Sequence, residues 1–389
     1  MRLLHVIATL EPSAGGPVAG LQGLLEAGRQ RGLEAEIVTM DAASAPWLDR
    51  FAVPIAALAQ STRGFAHAPR LAAWLRTHQT RFDAVIVHGL WQHQGIIVHR
   101  VLRRSRRPYC VFPHGMLDPW FGRRYPAKHV KKLLFWYMWQ YRVLRDAAAV
   151  LFTCAEEQRL AGLSFRPYAV RGAIVGFGAS GPPALGDARA CLEAALPSLR
   201  GKRVVLFLGR IHPKKGCDIL LDAFAQAAAS TPALQLVLAG PDQLGWGAQL
   251  RERARQLGID ARVSWPGMLD GELKWAALRA AEVFVLPSHQ ENFGVAVAEA
   301  LACGTPVLVS DKVNIWREIV ADGAGIAAAD SVAGTVQSLR AWLDLDSSRQ
   351  AAMRAAALAC HARHYRFEAV AARLAEVLDA AVGDADARS

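Results

Sequence analysis

The stretch Val283–Ser310, VFVLPSHQENFGVAVAEALACGTPVLVS, decides how the chain is read. It opens with an apolar run, Val283–Leu286, closed by Pro287, which is the pattern of a strand buried in a parallel sheet. Ser288–Asn292 is a polar turn, and Gly294 begins a helical pattern. Cys303-Gly304-Thr305-Pro306 stops that helix, and Val307–Val309 is the next strand. Two glutamates lie on this strand–loop–helix–strand unit. Glu291 falls in the loop at the carboxyl end of the strand, where open α/β sheets take their ligands. Glu299 sits two turns down the helix. Backbone N–H groups around Phe293–Val295 open that helix and suit an anionic or hydroxyl-rich ligand.

Taken alone, either glutamate reads as a solvated charge. With the flanking PSHQENFG and EALACGTPV, the string resembles the signature of glycosyltransferase family 4, a retaining family. The resemblance implies an α/β chain of GT-B fold, with two Rossmann-like doubly wound parallel-sheet domains facing a central cleft. It implies that Glu291 approaches a donor sugar, with Asn292, Phe293, Gly294 and Val295 along the donor. It also implies that Glu299 binds the ribose hydroxyls of the sugar nucleotide.

At 389 residues the chain suits two domains, and 52% hydrophobic content allows both to be well buried. Met1–Leu10 carries a short apolar run, but Glu11-Pro12 follows without a small-residue cleavage site, so a first strand is expected rather than a signal peptide. No apolar run approaches the roughly 18 residues a membrane span needs. Cys110, Cys154, Cys191, Cys217, Cys303 and Cys360 are scattered without a CxxC pair and read as reduced, mostly buried thiols.

The net charge of +11 is unevenly placed. Residues 1–175 hold 23 Lys+Arg and 11 Asp+Glu, giving +12, which leaves 22 basic and 23 acidic residues for the remainder, or −1. The segment Arg123–Arg145, RRYPAKHVKKLLFWYMWQYRVLR, mixes basic residues with an apolar and aromatic set: Val130, Leu133, Leu134, Tyr137, Met138 and Tyr141 share a helical spacing. It fits a core helix with a basic entry, or an interfacial amphipathic helix held near anionic lipid. Nucleic-acid contact is not expected, because no nucleic-acid motif accompanies the charge.

In the first half, Leu3–Ala8 leads into Gly15-Gly16-Pro17 and a helical pattern from Val18. This resembles a nucleotide-fold opening but lacks GxGxxG. Short apolar runs at Ala35–Thr39, Ala84–Val87, Tyr109–Phe112 and Ala148–Phe152 alternate with helical stretches, as in a doubly wound sheet. His88-Gly89-Leu90-Trp91 and Pro113-His114-Gly115 follow two of these strands, and two histidine-glycine turns at strand ends point to one crevice. HGLWQ with PHGMLDPW is similar to a subgroup of the family found in bacterial exopolysaccharide and O-antigen assembly. In the resembled family the loop matching Gly15-Gly16-Pro17 lies against the donor phosphates and the acceptor, and the subgroup likeness has His114 reach the donor sugar and its phosphate. It puts His88, Trp91 and Asp118 on the acceptor side.

Gly172–Gly201 is rich in glycine and proline and reads as a break. The expected organisation is an acceptor-side domain over 1–175, a linker over 176–200, a nucleotide-sugar domain over 201–365, and a helix over about 366–389 returning to the first domain. Family members often carry Asn-Gly where this chain has Val175-Gly176-Phe177-Gly178, which leaves the local turn open. Val204–Leu208 is a strand followed by Gly209-Arg210-Ile211-His212-Pro213-Lys214-Lys215-Gly216 and a helix; strand end, basic loop and helix start together make a diphosphate site. Gly209-Arg210 and Lys215-Gly216 match the family's second signature, in which Arg and Lys hold the diphosphate. Gly240 ends the strand at Leu234 and is expected to let backbone approach the ligand, and Met268 is expected beside the nucleotide base.

The chemistry expected is thus sugar transfer from a nucleotide sugar to a lipid-linked or polysaccharide acceptor. His114, Glu291, Arg210 and Lys215 are the catalytic candidates. No cofactor or metal is expected: the Asp-x-Asp triplets at 344–346 and 384–386 fall in a helix end and a polar tail, and Arg210, Lys215 and helix-start amides can neutralise the leaving diphosphate instead. The expected location is cytoplasmic, at most peripheral on the inner membrane face. A nucleotide-sugar epimerase of the same fold and a non-catalytic nucleotide-sugar sensor are the alternatives.

Overall fold

The computed structural model describes residues 1–59, 69–103, 105 and 107–387. The chain divides into two compact units, Met1–Gly178 with Phe367–Ser389, and Ala179–Arg366.

The first unit is built on a parallel sheet of β1 (Arg2–Ile7), β2 (Glu34–Thr39), β3 (Ile55–Ala57), β4 (Ala84–His88), β5 (Tyr109–Phe112), β6 (Ala149–Phe152) and β7 (Gly172–Ile174). The spatial order is β3-β2-β1-β4-β5-β6-β7. β4, β5 and β6 are buried along their whole length, as their apolar runs require when both faces carry helices. Helix Phe367–Ala387 supplies Val370, Ala371, Leu374 and Leu378 to one face of this sheet. The edge strands β3 and β7 are three residues each and lack the strong apolar run that marks the central ones.

The second unit holds β8 (Arg203–Leu208), β9 (Leu234–Ala239), β10 (Val263–Gly267), β11 (Val283–Leu286), β12 (Val307–Ser310) and β13 (Gly325–Ala328), in the order β10-β9-β8-β11-β12-β13, all parallel. Residues 188–195, within the stretch expected as linker, form a helix that caps itself: the Asp187 carboxylate accepts from the backbone N–H groups of Arg189 and Ala190. In each sheet the strand order reverses once, between β1 and β4 and between β8 and β11. The loops leaving those strands flank a topological switch point, the place where open α/β sheets leave a crevice for a ligand. Among the described residues, no helix is long and apolar enough to cross a membrane.

Candidate donor site and histidine cluster

In the second unit, two loops meet at the switch point. The loop after β8 carries Gly209, exposed Arg210, and a single turn Pro213–Lys215 whose start is capped by the His212 imidazole, Nδ1 accepting from Lys214 N–H at 3.0 Å. Burial, and then the positive charges of Arg210, Lys214 and Lys215, hold His212 below the usual histidine range, so it caps as a neutral ring. Gly216 turns the chain in the left-handed region at φ 69°, and a Cβ there would lie 2.3 Å from the carbonyl oxygen of Pro287. Only glycine lets the two loops approach so closely.

The loop after β11 places Glu291 against that turn. Its carboxylate accepts directly from Lys215 Nζ, with both side chains mostly withdrawn from solvent. Burial pushes the Glu291 carboxyl up; the charge and hydrogen bond of Lys215, with Lys214 and Arg210 behind, outweigh it and leave the group below its ordinary range. Glu291 is therefore ionised at neutral pH. Its backbone is clamped too, N–H to the Lys312 carbonyl at 2.9 Å and C=O from Asn314 N–H at 3.0 Å. Asn292 and Asn314 join side chains at 3.4 Å.

Gly294, at φ 80°, opens helix Val295–Ala302, and Phe293 is buried against Tyr365 in an edge-on contact of 5.4 Å. Glu299 lies on the buried side of that helix, 2.8 Å from Lys274 Nζ on helix Gly271–Ala280. Here burial wins over the lysine, and the carboxyl is raised. A Cβ on Gly240 would lie 1.7 Å from the Gly209 carbonyl oxygen, so the glycine allows a close approach of one loop backbone to another. Met268, at the end of β10, is 63% exposed and free to meet a flat ligand.

In the first unit, the interior of β1, the carboxyl end of β4 and the turn after β5 carry three histidines in a line. His5 Nδ1 lies 3.0 Å from His88 Nε2, and His88 Nδ1 lies 3.0 Å from His114 Nε2. The rings stack at 5.3 Å for both pairs, and Phe112 covers His114 at 4.8 Å. Burial lowers all three pKa values, His5 to about 4 and His114 to about 3; for His88 the neighbouring rings add to the effect. Phe177 meets His114 edge-on at 6.2 Å and fills the space that Gly20 leaves open on helix Gly16–Arg29, which gives the Gly176-Phe177-Gly178 turn a buttressing role. His114 itself has φ 51°, a strained backbone for a side-chain-bearing residue. The buried Glu157 carboxylate holds that turn, accepting from Gly115 N–H at 2.5 Å and from the Thr153 N–H and hydroxyl at 2.7 Å each.

His88 thus has both ring nitrogens taken and presents neither to a ligand. Trp91, also at positive φ, is fixed by Gln140 Oε1 and the Met116 carbonyl. Asp118 accepts from Trp120 N–H at 2.8 Å and so starts helix Trp120–Arg124. Gly15, at φ 84°, is exposed and directly precedes helix Gly16–Arg29. The sequence reading missed His5, Lys274 and Glu157. His5 is a polar residue inside an apolar strand, a signal that could have been used; Lys274 and Glu157 carry no local signal.

The basic segment divides. Helix Pro126–Phe135 passes through a π-turn, Trp136–Gln140, into Tyr141–Arg145. Phe135, Trp136, Val143 and Leu144 are buried, whereas Val130, Leu134, Tyr137 and Met138 are 66%, 62%, 56% and 38% exposed. The apolar set read from sequence as one face is therefore largely an outer face, because the wider residues Phe135 and Trp136 take the inner one. Arg123, Arg124, Lys128, Lys131 and Arg142 are exposed around it. Beside Met138, a groove of about 370 Å³ is lined by Ile96, Arg100, Arg103, Trp139 and Arg142.

Residues 192–359 match the family described as glycosyl transferases group 1, and residues 15–178 match the glycosyl transferase 4-like domain. The chain belongs to the family 4 glycosyltransferases. Its fold is that of solved members of the GT-B class. Sucrose-phosphate synthase from Thermosynechococcus elongatus superposes over 99% of this chain and 100% of its own at TM-score 0.75 and 19% identity. Anabaena HepE in complex with UDP does so over 98% and 100% at TM-score 0.77 and 19% identity. By sequence, D-inositol 3-phosphate glycosyltransferase of Rhodococcus erythropolis is 36% identical over 189 residues, 45% of this chain and 41% of that protein. The one from Segniliparus rotundus is 37% identical over 152 residues, 38% of this chain and 31% of that protein. This family 4 chain thus spans less than half the length of those curated relatives.

Proposed function

We propose that the protein is a retaining, metal-independent glycosyltransferase that moves a hexose from a nucleoside-diphosphate sugar to a lipid-linked or polysaccharide acceptor in bacterial surface-polysaccharide synthesis. The observation that carries this reading is the meeting, at one switch point, of Arg210 and Lys215 with Glu291, while Glu299 stands on the helix that the Glu291 loop opens. Arg210 and Lys215 supply positive charge where the diphosphate departs, and the amides opening helix Val295–Ala302 extend that field. Charges held in place beforehand need no reorganisation as the leaving group develops its own. Glu299, kept in position by Lys274, receives the ribose hydroxyls, and Met268 lies beside the base. We assign His114 to the donor sugar, with Trp91 and Asp118 on the acceptor side. Glu291, ionised and locked to Lys215, orients the sugar rather than attacking it; the departing phosphate assists the incoming hydroxyl on the same face. The chemistry of glycosidases with two carboxylates does not transfer to this arrangement.

The structure of HepE with UDP supports a uridine nucleotide as the first donor to test. The exposed apolar stripe from Val130 to Met138, ringed by cations, fits a cytoplasmic enzyme that meets a lipid-linked acceptor at an anionic membrane surface. The deciding experiment is a thermal-shift panel of nucleoside diphosphates and their sugars with EDTA present, since a ligand of the native state raises the midpoint by mass action. A shift with one base that Arg210→Ala and Glu299→Ala abolish is the expected result. Conversion of the nucleotide sugar to its epimer without acceptor would favour an epimerase, and binding without turnover a sensor.

A further inference from the structure

We infer that His5 and His88 are positioning residues that tie the tautomer of His114 to their own, so that one hydrogen-bond chain across β1, β4 and β5 switches as a unit between a His114 Nδ1 that donates and one that accepts. This rests on the assignment of His114 to the donor sugar. It goes beyond that assignment by placing control of the contact two strands away.

The argument is one of proton counting. A neutral imidazole has one N–H and one lone pair. Burial keeps all three rings neutral at pH 7. Each of the two 3.0 Å contacts needs one donor and one acceptor. If His5 Nδ1–H donates to His88 Nε2, then His88 carries its proton on Nδ1 and donates to His114 Nε2, which forces the His114 proton onto Nδ1. If His114 Nε2–H donates instead, every ring is protonated on Nε2, and His114 Nδ1 offers only a lone pair. No mixed arrangement satisfies both contacts. The free ends, His5 Nε2 and His114 Nδ1, make no hydrogen bond with any described residue, and no carboxylate or cation among the described residues bonds to the rings of His5, His88 or His114 to break the coupling. A phosphate oxygen at His114 Nδ1, which can only accept, selects the register in which all three rings are protonated on Nδ1, whereas a sugar hydroxyl fits either register. Strand pairing, β1 to β4 and β4 to β5, holds the chain rigid. Where a partner fixes the tautomer of a working histidine, loss of that partner is felt in turnover.

The test is ¹⁵N NMR of the histidine rings in the full-length protein, uniformly labelled, free and with UDP-glucose. The expected result is one common tautomer for His5, His88 and His114 in the free protein. In His5→Phe the His114 ring nitrogens should shift, and in His5→Asn, whose amide stands where Nδ1 stood, they should return. A mixed set of tautomers in the wild type, or an unchanged His114 in His5→Phe, would overturn the inference. The free-protein spectra do not depend on the donor. If the tautomers are common but UDP-glucose neither binds nor turns over, the coupling stands and the donor assignment is what fails. With turnover, His5→Phe should lower kcat by about tenfold with KM for UDP-glucose little changed, and His5→Asn should restore it.

Discussion

Glu299 accepts a hydrogen bond from Lys274 at 2.8 Å, and the two side chains come from different helices of the second unit. Burial raises the Glu299 carboxyl despite that lysine, so the pair is held at a cost until a ligand uses it. Lys274→Met strands a buried carboxylate and is expected to cost about 3 kcal/mol. Lys274→Met with Glu299→Gln should recover most of that loss. Urea unfolding of the four proteins measures the coupling, and simple additivity would show that the two groups do not stabilise one another.

Lys215 and Glu291 join the basic loop to the loop after β11. Lys215→Met should lower kcat/KM by about a hundredfold or more, the usual effect of losing a preorganised charge on a leaving group. Arg210→Ala, at an exposed position, should abolish the UDP-induced thermal shift while leaving the unliganded midpoint close to wild type. A large fall in that midpoint would mean that Arg210 is structural.

The histidine chain makes a pH prediction. His5 has its pKa lowered to about 4 in the fold against an ordinary 6.5, so the unfolded chain binds the proton first as pH falls. Stability is therefore unaffected by this group above pH 6.5 and declines on acidification toward 4. Between pH 6.5 and 5, His5 alone should remove about 2 kcal/mol. The lowered carboxyl of Glu291 acts only in the more acid range, below its ordinary 4.5. Urea midpoints that stay flat from pH 7.5 to 5 would contradict neutral burial.

Gly240→Ala should be among the most damaging single changes. Its φ of 148° disfavours a side chain, and the added Cβ would overlap the Gly209 carbonyl oxygen at 1.7 Å. A loss of about 3 kcal/mol or more is expected, together with loss of nucleotide binding, because the Gly209–Arg210 segment must move. Calorimetry with and without UDP reads both effects; wild-type values would exclude the clash.

Lys128→Glu with Lys131→Glu and Leu134→Glu changes only exposed positions of the first unit. Folding stability should be nearly unchanged, while cosedimentation with phosphatidylglycerol vesicles should fall and binding to phosphatidylcholine vesicles remain low. Retained binding to the anionic vesicles would remove the membrane role of this face.

Much of this was legible in the chain itself. Apolar runs such as Val283–Leu286 and Tyr109–Phe112, alternating with helical stretches, determine a parallel sheet because strands covered on both faces must be apolar throughout. Arg210 and Lys215 in one loop, Glu291 in another and Glu299 on helix Val295–Ala302 were readable because the strings around them resemble the two family signatures; taken alone, each reads as a solvated charge. The edge strands Ile55–Ala57 and Gly172–Ile174 were not, since an edge needs less burial and leaves a fainter pattern. Only the tertiary structure decided the partners. Lys274 for Glu299, Glu157 for Gly115 and His5 for His88 lie 25, 42 and 83 residues apart in sequence. Such pairings follow from which strands and helices become neighbours, and no local spacing records that. The same holds for the segment Pro126–Arg145, where periodicity supplied the apolar residues but packing of Phe135 and Trp136 settled which of them face outward.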